Sequence, residues 1–149
     1  MSLIFADTSA LVKRYVHEVG SAWVRSWCEL RAGHTVVLSE LATVEVVSGL
    51  ARRQRDGSLR RSRLSRLHND FLLHVEEDYL IFDLRTSTIL IARDLALRHP
   101  LQALDAIHLA SALEARQVVG SALIFISADL RLLAAAALEG FPTDNPNAH

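Results

Sequence analysis

Four carboxylates occupy positions where a fold has little ordinary use for them. Asp7 closes the apolar run Leu3–Ala6, and Asp129 follows the run Ala122–Ile126 after Ser127 and Ala128. Asp and Ser are preferred helix caps, so capping is the simple reading for these two. Glu45 and Asp105 are harder to dismiss. Glu45 has Leu41 four residues before it, and Asp105 has Leu101 and Leu109 at i−4 and i+4. Each therefore shares a helical face that should point into a core. Acids are almost never fully buried unless paired, and a lone buried one is costly or neutralises itself. An ion pair with one of the arginines is the structural alternative for both. If instead the four acids converge, their mutual repulsion calls for a cation. Hard divalent ions prefer carboxylate oxygens, and Mg²⁺ takes a few of them plus water. Such a site polarises a phosphoryl oxygen and activates water for in-line attack on a phosphodiester.

The elements that must position these acids follow from periodicity. Short apolar runs at Leu3–Ala6, Thr35–Leu38, Tyr79–Phe82 and Ala122–Ile126 suit strands buried on both faces. Helical patterns span Ser9–Val19, Ser21–Ala32 (closed by Gly33), Glu40–Gln54, a segment starting at Ser58, Thr86–Arg98, Leu104–Arg116 and Asp129–Leu138. Strands alternating with helical crossovers predict an α/β fold with a mostly parallel sheet of about four or five strands. In such sheets ligands bind beyond the carboxyl ends of the strands, where Asp7 and Asp129 fall.

The chain has 149 residues, 50% of them apolar, and a formal net charge of −1. One domain is expected over residues 1–142, with 143–149 as a C-terminal tail beyond the core. This composition excludes global disorder, and a single cysteine, Cys28, excludes a disulfide scaffold. The lone thiol and the lack of a leading signal pattern predict a reducing compartment, the cytoplasm. No apolar run is long enough to span a membrane. The seven histidines show no metal spacing. His108, three residues after Asp105, shares its helical face, though a core or polar-face role is the simpler reading. Seven of the 16 basic residues lie between Arg52 and Arg66, beside one acid, Asp56. This patch, including Arg52, Arg53, Arg55, Arg60 and Arg61, could grip RNA phosphates or form a solvated helix end. Trp23 and Trp27, at i and i+4, read as core, with a partner surface as the alternative.

Asp7-Thr8-Ser9-Ala10-Leu11-Val12-Lys13 after a short apolar strand resembles the opening of a PIN domain. So do Ser39-Glu40-Leu41 followed by Glu45, the block Leu104-Asp105-Ala106-Ile107-His108-Leu109-Ala110-Ser111-Ala112, and Ile126-Ser127-Ala128-Asp129. The resemblance spans about residues 2–142 and is nearest to the VapC toxins of toxin–antitoxin pairs. It implies a three-layer α/β/α fold and a Mg²⁺- or Mn²⁺-dependent endoribonuclease. By position it assigns Asp7, Glu45, Asp105 and Asp129 to the acidic metal site, with Thr8 and Ser9 supporting; Glu40 is the rival of Glu45. It further implies a homodimer and a VapB-type antitoxin partner. Two other readings stand beside it: an RNA-processing PIN nuclease without an antitoxin, and an inactive RNA- or protein-binding PIN module.

Overall fold

The computed structural model describes residues 1–120 and 122–149. Among these the strands are β1 (Leu3–Ala6), β2 (Thr35–Ser39), β3 (Tyr79–Phe82), β4 (Leu123–Ile126) and β5 (Thr143–Asp144). The α-helices are α1 (Thr8–Leu11), α2 (Ser21–Cys28), α3 (Glu40–Arg55), α4 (Arg61–Glu77), α5 (Thr86–Arg98), α6 (Ala103–Val119) and α7 (Leu130–Leu138). The strands form one parallel sheet in the order β3-β2-β1-β4-β5.

Period-2 alternation sorts the strand side chains into two cores. Ile4, Ala6, Val36, Leu38 and Ile126 pack with α1–α4, whose buried contributions include Leu11, Trp27, Val46, Leu50 and Phe71. Phe5, Val37, Leu123 and Phe125 pack with α5–α7 through Leu95, Leu109 and Leu132. Phe5 and Phe125 are register partners on adjacent strands and stack with centroids 5.3 Å apart. Both faces of the sheet are covered by helices, which is why its strands read as continuous apolar runs. The result is the expected three-layer α/β/α arrangement.

The chain runs outward from β1 to β2 and β3, then returns to place β4 on the other side of β1. This reversal is the crevice where open α/β sheets bind ligands. Asp7 leaves one wall of it and Asp129 the other.

Three local expectations are corrected. The helix expected over Ser9–Val19 ends at Leu11 and gives way to a 3-10 turn, Val12–Arg14. Lys13 causes the break: its buried Nζ donates to the Val19 carbonyl at 2.8 Å and to Glu18 at 3.2 Å, curling the segment back on itself. Similarly, α2 stops at Cys28, short of Ala32, and α4 starts at Arg61, because Ser58 instead folds onto Asp56 as a turn.

The tail beyond residue 142 is not separate from the core. Thr143–Asp144 extend the sheet beside β4, Pro146 is buried, and His149 stacks on Trp23 at 4.0 Å. Phe141, just before it, is also buried. A tail of polar residues gave no apolar periodicity to read, and its two-residue strand is held by backbone bonds. Trp27 is core, as expected, while Trp23 is half-covered by His149.

Candidate active site

The apolar strand β1 ends where the backbone must turn into α1, and Asp7 makes that turn. Its N–H still donates to Ile126 O of β4, at 3.1 Å. Its carboxylate accepts from the Ala10 N–H at 3.0 Å and from the Ser9 hydroxyl at 2.7 Å. The Ser127 hydroxyl reaches the other oxygen at 2.8 Å. Asp7 is thus both a helix cap and a buried acid, 3% exposed. Burial pushes its carboxyl above the usual aspartate range, against the opposing pull of His108 and of the Ser9, Ala10 and Ser127 hydrogen bonds.

Asp129 repeats this arrangement at the end of β4. Its Oδ1 caps α7 by accepting from the Arg131 and Leu132 N–H groups at 2.9 and 3.1 Å. Two serines lace the strand ends together. The Asp129 N–H donates to Ser127 Oγ at 3.0 Å, and the Ala128 N–H donates to Ser9 Oγ at 2.9 Å.

The two helical acids arrive from opposite layers. Glu45, on α3, accepts the Thr8 hydroxyl at 2.9 Å on Oε1, and His108 Nε2 bonds to the same oxygen. Burial works against its ionisation, but the His108 bond and charge and the Thr8 hydroxyl outweigh it and hold the carboxyl below the usual glutamate range. Asp105, on α6, has no hydrogen-bond or ion-pair partner among the described residues. Burial first, then the charges of Asp129, Asp7 and Glu45, push its carboxyl up, with His108 opposing only in part.

All four acids line one open cavity of about 730 Å³, together with Thr8, Ser9 and His108. None of them pairs with an arginine or lysine among the described residues; the one ion-pair contact is Glu45 with His108. The ion-pair alternative for Glu45 and Asp105 therefore fails, while the capping reading of Asp7 and Asp129 holds alongside their place in the cavity. Glu40 turns away: its Oε2 accepts the Leu84 N–H at 2.8 Å and ties α3 to the loop before α5. Arg52, Arg53 and Arg55 form the rim of the same cavity. Arg53 is partly engaged with Glu18, whereas Arg52 and Arg55 form no ion pair among the described residues. Arg60 lies with Arg63 and Arg66 in a separate shallow cavity, and neither it nor Arg61 lines the acidic one.

Two site residues exceed what the sequence reading assigned. His108 is buried against Glu45, and its position one turn after Asp105 was the available signal. Ser127 bridges Asp7 and Asp129, and only its place between a strand end and an acid hinted at it. Replacing Ser127 by Ala takes a donor from Asp7 and an acceptor from the Asp129 N–H. The expected loss is about 1.5–3 kcal/mol, the scale of hydrogen bonds to charged groups, read from urea unfolding at neutral pH. An unchanged midpoint would mean that Ser9 suffices to hold both strand ends.

The donor set suits a hard cation. Oε2 of Glu45, Oδ2 of Asp129 and both oxygens of Asp105 lack protein hydrogen bonds among the described residues, and all three residues line the cavity. No group of three or more His, Cys, Asp or Glu side chains is placed to hold a metal ion by itself among these residues. Carboxylate oxygens are the donors that a hard divalent ion such as Mg²⁺ prefers.

Comparison with known proteins places the chain in a family. Residues 4–138 match the PIN domain family. The chain is 30% identical over 148 residues to Ribonuclease VapC47 of Mycobacterium tuberculosis, covering 98% of each protein. Its fold is similar to that of a toxin-antitoxin complex chain from Klebsiella pneumoniae, with a TM-score of 0.65 at 18% identity over 97% of this chain and 98% of that one. The fold also resembles that of VapC20 of Mycobacterium tuberculosis, a sarcin-ricin loop cleaving toxin, with a TM-score of 0.62 at 14% identity over 93% and 95% of the two chains. The chain belongs to the PIN-domain family, in its VapC-type branch.

Proposed function

We propose that this chain is a Mg²⁺- or Mn²⁺-dependent endoribonuclease, the toxin of a VapBC-type pair, acting in the cytoplasm on RNA phosphodiester bonds. The observation that carries the reading is the meeting of four acids, unpaired with any described arginine or lysine, in one cavity at the β1/β4 switch point. The likeness to Ribonuclease VapC47 over nearly the whole chain supports the activity. Toxin–antitoxin structures among its fold relatives support a VapB-type antitoxin as partner. A homodimer belongs to the same reading, and sedimentation of the purified protein measures it. No helix among the described residues is long and apolar enough to cross a membrane.

In this reading Asp7 and Asp105 hold the ion, with Glu45 and Asp129 reaching it directly or through water. The ion, when bound, neutralises charge developing on the phosphate and lowers the pKa of water. The protein's own groups do the rest. Ser9 and Ser127 keep the Asp7 carboxylate turned into the cavity, and Thr8 does the same for Glu45. Asp129, anchored by α7, holds a carboxylate oxygen free to orient the attacking water. Arg52 and Arg55 at the rim meet the RNA backbone, which positions the strand without selecting its sequence.

The test is RNA cleavage by the purified protein with Mg²⁺ or Mn²⁺ and with a chelator. Cleavage that the chelator stops supports the nuclease; cleavage that persists removes the metal from the proposal. Joint replacement of Arg52 and Arg55 by Ala is expected to weaken RNA binding and to lower the slope of log K against log salt by about 0.7 per lost contact to a single strand. An unchanged slope would place the RNA elsewhere.

A further inference from the structure

His108 lies on α6 one turn beyond Asp105 and is 2% exposed. Its ring reaches across the cavity floor to another layer of the fold. Nε2 bonds to Glu45 Oε1 and stands 3.3 Å from Thr8 Oγ1. Nδ1 is buried and meets no partner among the described residues. These contacts place a hydrogen on Nε2, which donates to the carboxylate; a ring bare at Nε2 would turn a lone pair toward a carboxylate and bury an unpaired N–H at Nδ1. A histidine held at one nitrogen, by an acid that itself faces an ion site, resembles the outer shell of a metal centre in chemistry.

Glu45 is a flexible side chain on a half-exposed helix face. Unrestrained, it would sample several rotamers, and ordering it would weaken ion binding. Two donors on Oε1 remove that freedom beforehand and leave Oε2 without a protein partner. We propose that His108 is a positioning residue of the acidic site, whose Nε2–H donates to Oε1 of Glu45 and so presents Oε2 to the divalent ion or its water. This inference rests on the metal-site reading above and adds a residue that the acidic quartet does not contain.

The experiment is a Mn²⁺ titration read from the electron paramagnetic resonance signal of free Mn²⁺, with no RNA present. His108→Leu keeps the bulk and removes the donor; it is expected to weaken Mn²⁺ binding about 10–100-fold, the usual effect of losing an outer-shell partner. His108→Gln returns an N–H at similar reach and is expected to recover most of that loss. In a Glu45→Gln background, His108→Leu is expected to add nothing, because the two changes break the same link. A role in packing alone would not show this rescue or this non-additivity. Should His108→Leu fail to fold, His108→Asn replaces it, since its shorter amide cannot reach Glu45 and it is expected to bind as weakly. Wild-type affinity in the variant without the donor would overturn the proposal, as would equal losses with and without the Glu45 carboxylate. Wild-type binding that Asp105→Asn removes keeps the metal site in place, so a null result at His108 counts against this inference alone. If the wild-type protein takes up no Mn²⁺, the metal site falls and this inference with it.

Discussion

Replacing Asp105 by Asn is expected to lower metal-dependent RNA cleavage on the order of 10³-fold and to make the metal-free protein harder to unfold. The first half follows from the site. A bound ion supplies several kcal/mol of charge stabilisation in phosphoryl transfer, and each 1.4 kcal/mol or so is tenfold in rate. Asp105 is the acid with no protein partner among the described residues, so in the proposed site both its oxygens are left for the ion. The second half follows from electrostatics. Burial and then the charges of Asp129, Asp7 and Glu45 raise its carboxyl above the aspartate value of 3.8. A raised acid penalises the folded state once the unfolded chain has ionised. Well below pH 3.8 both states are neutral and the penalty is absent. It grows as pH rises through that value and is complete above the raised folded value. The thermal midpoint of Asp105→Asn is therefore expected to converge on that of wild type as pH falls below 3.8 and to exceed it by ~1–3 °C at neutral pH, within the usual response to relieving a small penalty. Saturating Mg²⁺ should close the gap by stabilising the wild type alone. A variant less stable than wild type at neutral pH without metal would contradict the acidic repulsion. A variant that cleaves RNA normally would remove Asp105 from the site.

Gly20→Ala is expected to be the most damaging alanine replacement among the glycines. Gly20 precedes α2 with φ +83°, in the left-handed region. An added Cβ would stand 2.3 Å from the Pro146 carbonyl oxygen and 2.7 Å from its carbon. Both atoms are backbone, so no side-chain rotation relieves the clash. The backbone conformation alone costs about 1–2 kcal/mol for an L-residue. Displacing the tail adds the loss of its strand pairing and of the His149–Trp23 stack. The sum is about 2–4 kcal/mol, or about 5–12 °C in thermal midpoint for a domain of this length. Tryptophan emission should shift to the red as Trp23 loses its cover. The same substitution in a chain lacking residues 143–149 should cost only the backbone share, because the clashing partner is gone. Equal costs in both backgrounds would show that Pro146 yields without loss.

These two effects draw on information of different kinds. The place of Asp105 was readable: an acid with leucines at i±4 violates its own helical pattern. The place of Gly20 was not, because the atom it must avoid lies more than a hundred residues away in a polar tail with no periodicity. The choice between Glu40 and Glu45 sits between these cases. Five residues place them about 140° apart around a helix, so only one could face the crevice. Leu41 marked the apolar stripe, but it took the packing of α3 to turn Glu45 to Thr8 and Glu40 to Leu84. The first helix failed for a related reason. Its residues suit a helix, yet Lys13 finds a carbonyl and a carboxylate at Val19 and Glu18, and two satisfied bonds for a buried ammonium outweigh local propensity.

The sequence by itself determined the class of the fold, the faces of its strands and helices, and the acids at the ends of β1 and β4. Those follow from periods of 2 and 3.6 and from capping chemistry, which act between neighbours in the chain. Only the tertiary structure decided that β4 returns beside β1 and that Ser127 bonds to Asp7 across 120 residues. It likewise decided that His108 meets Glu45 and that the tail closes the edge of the sheet over Trp23. These are pairings between distant segments. Local pattern says which face of each element must be covered, but not by which partner. That choice is made when the layers pack and every buried donor and acceptor must find its counterpart at once.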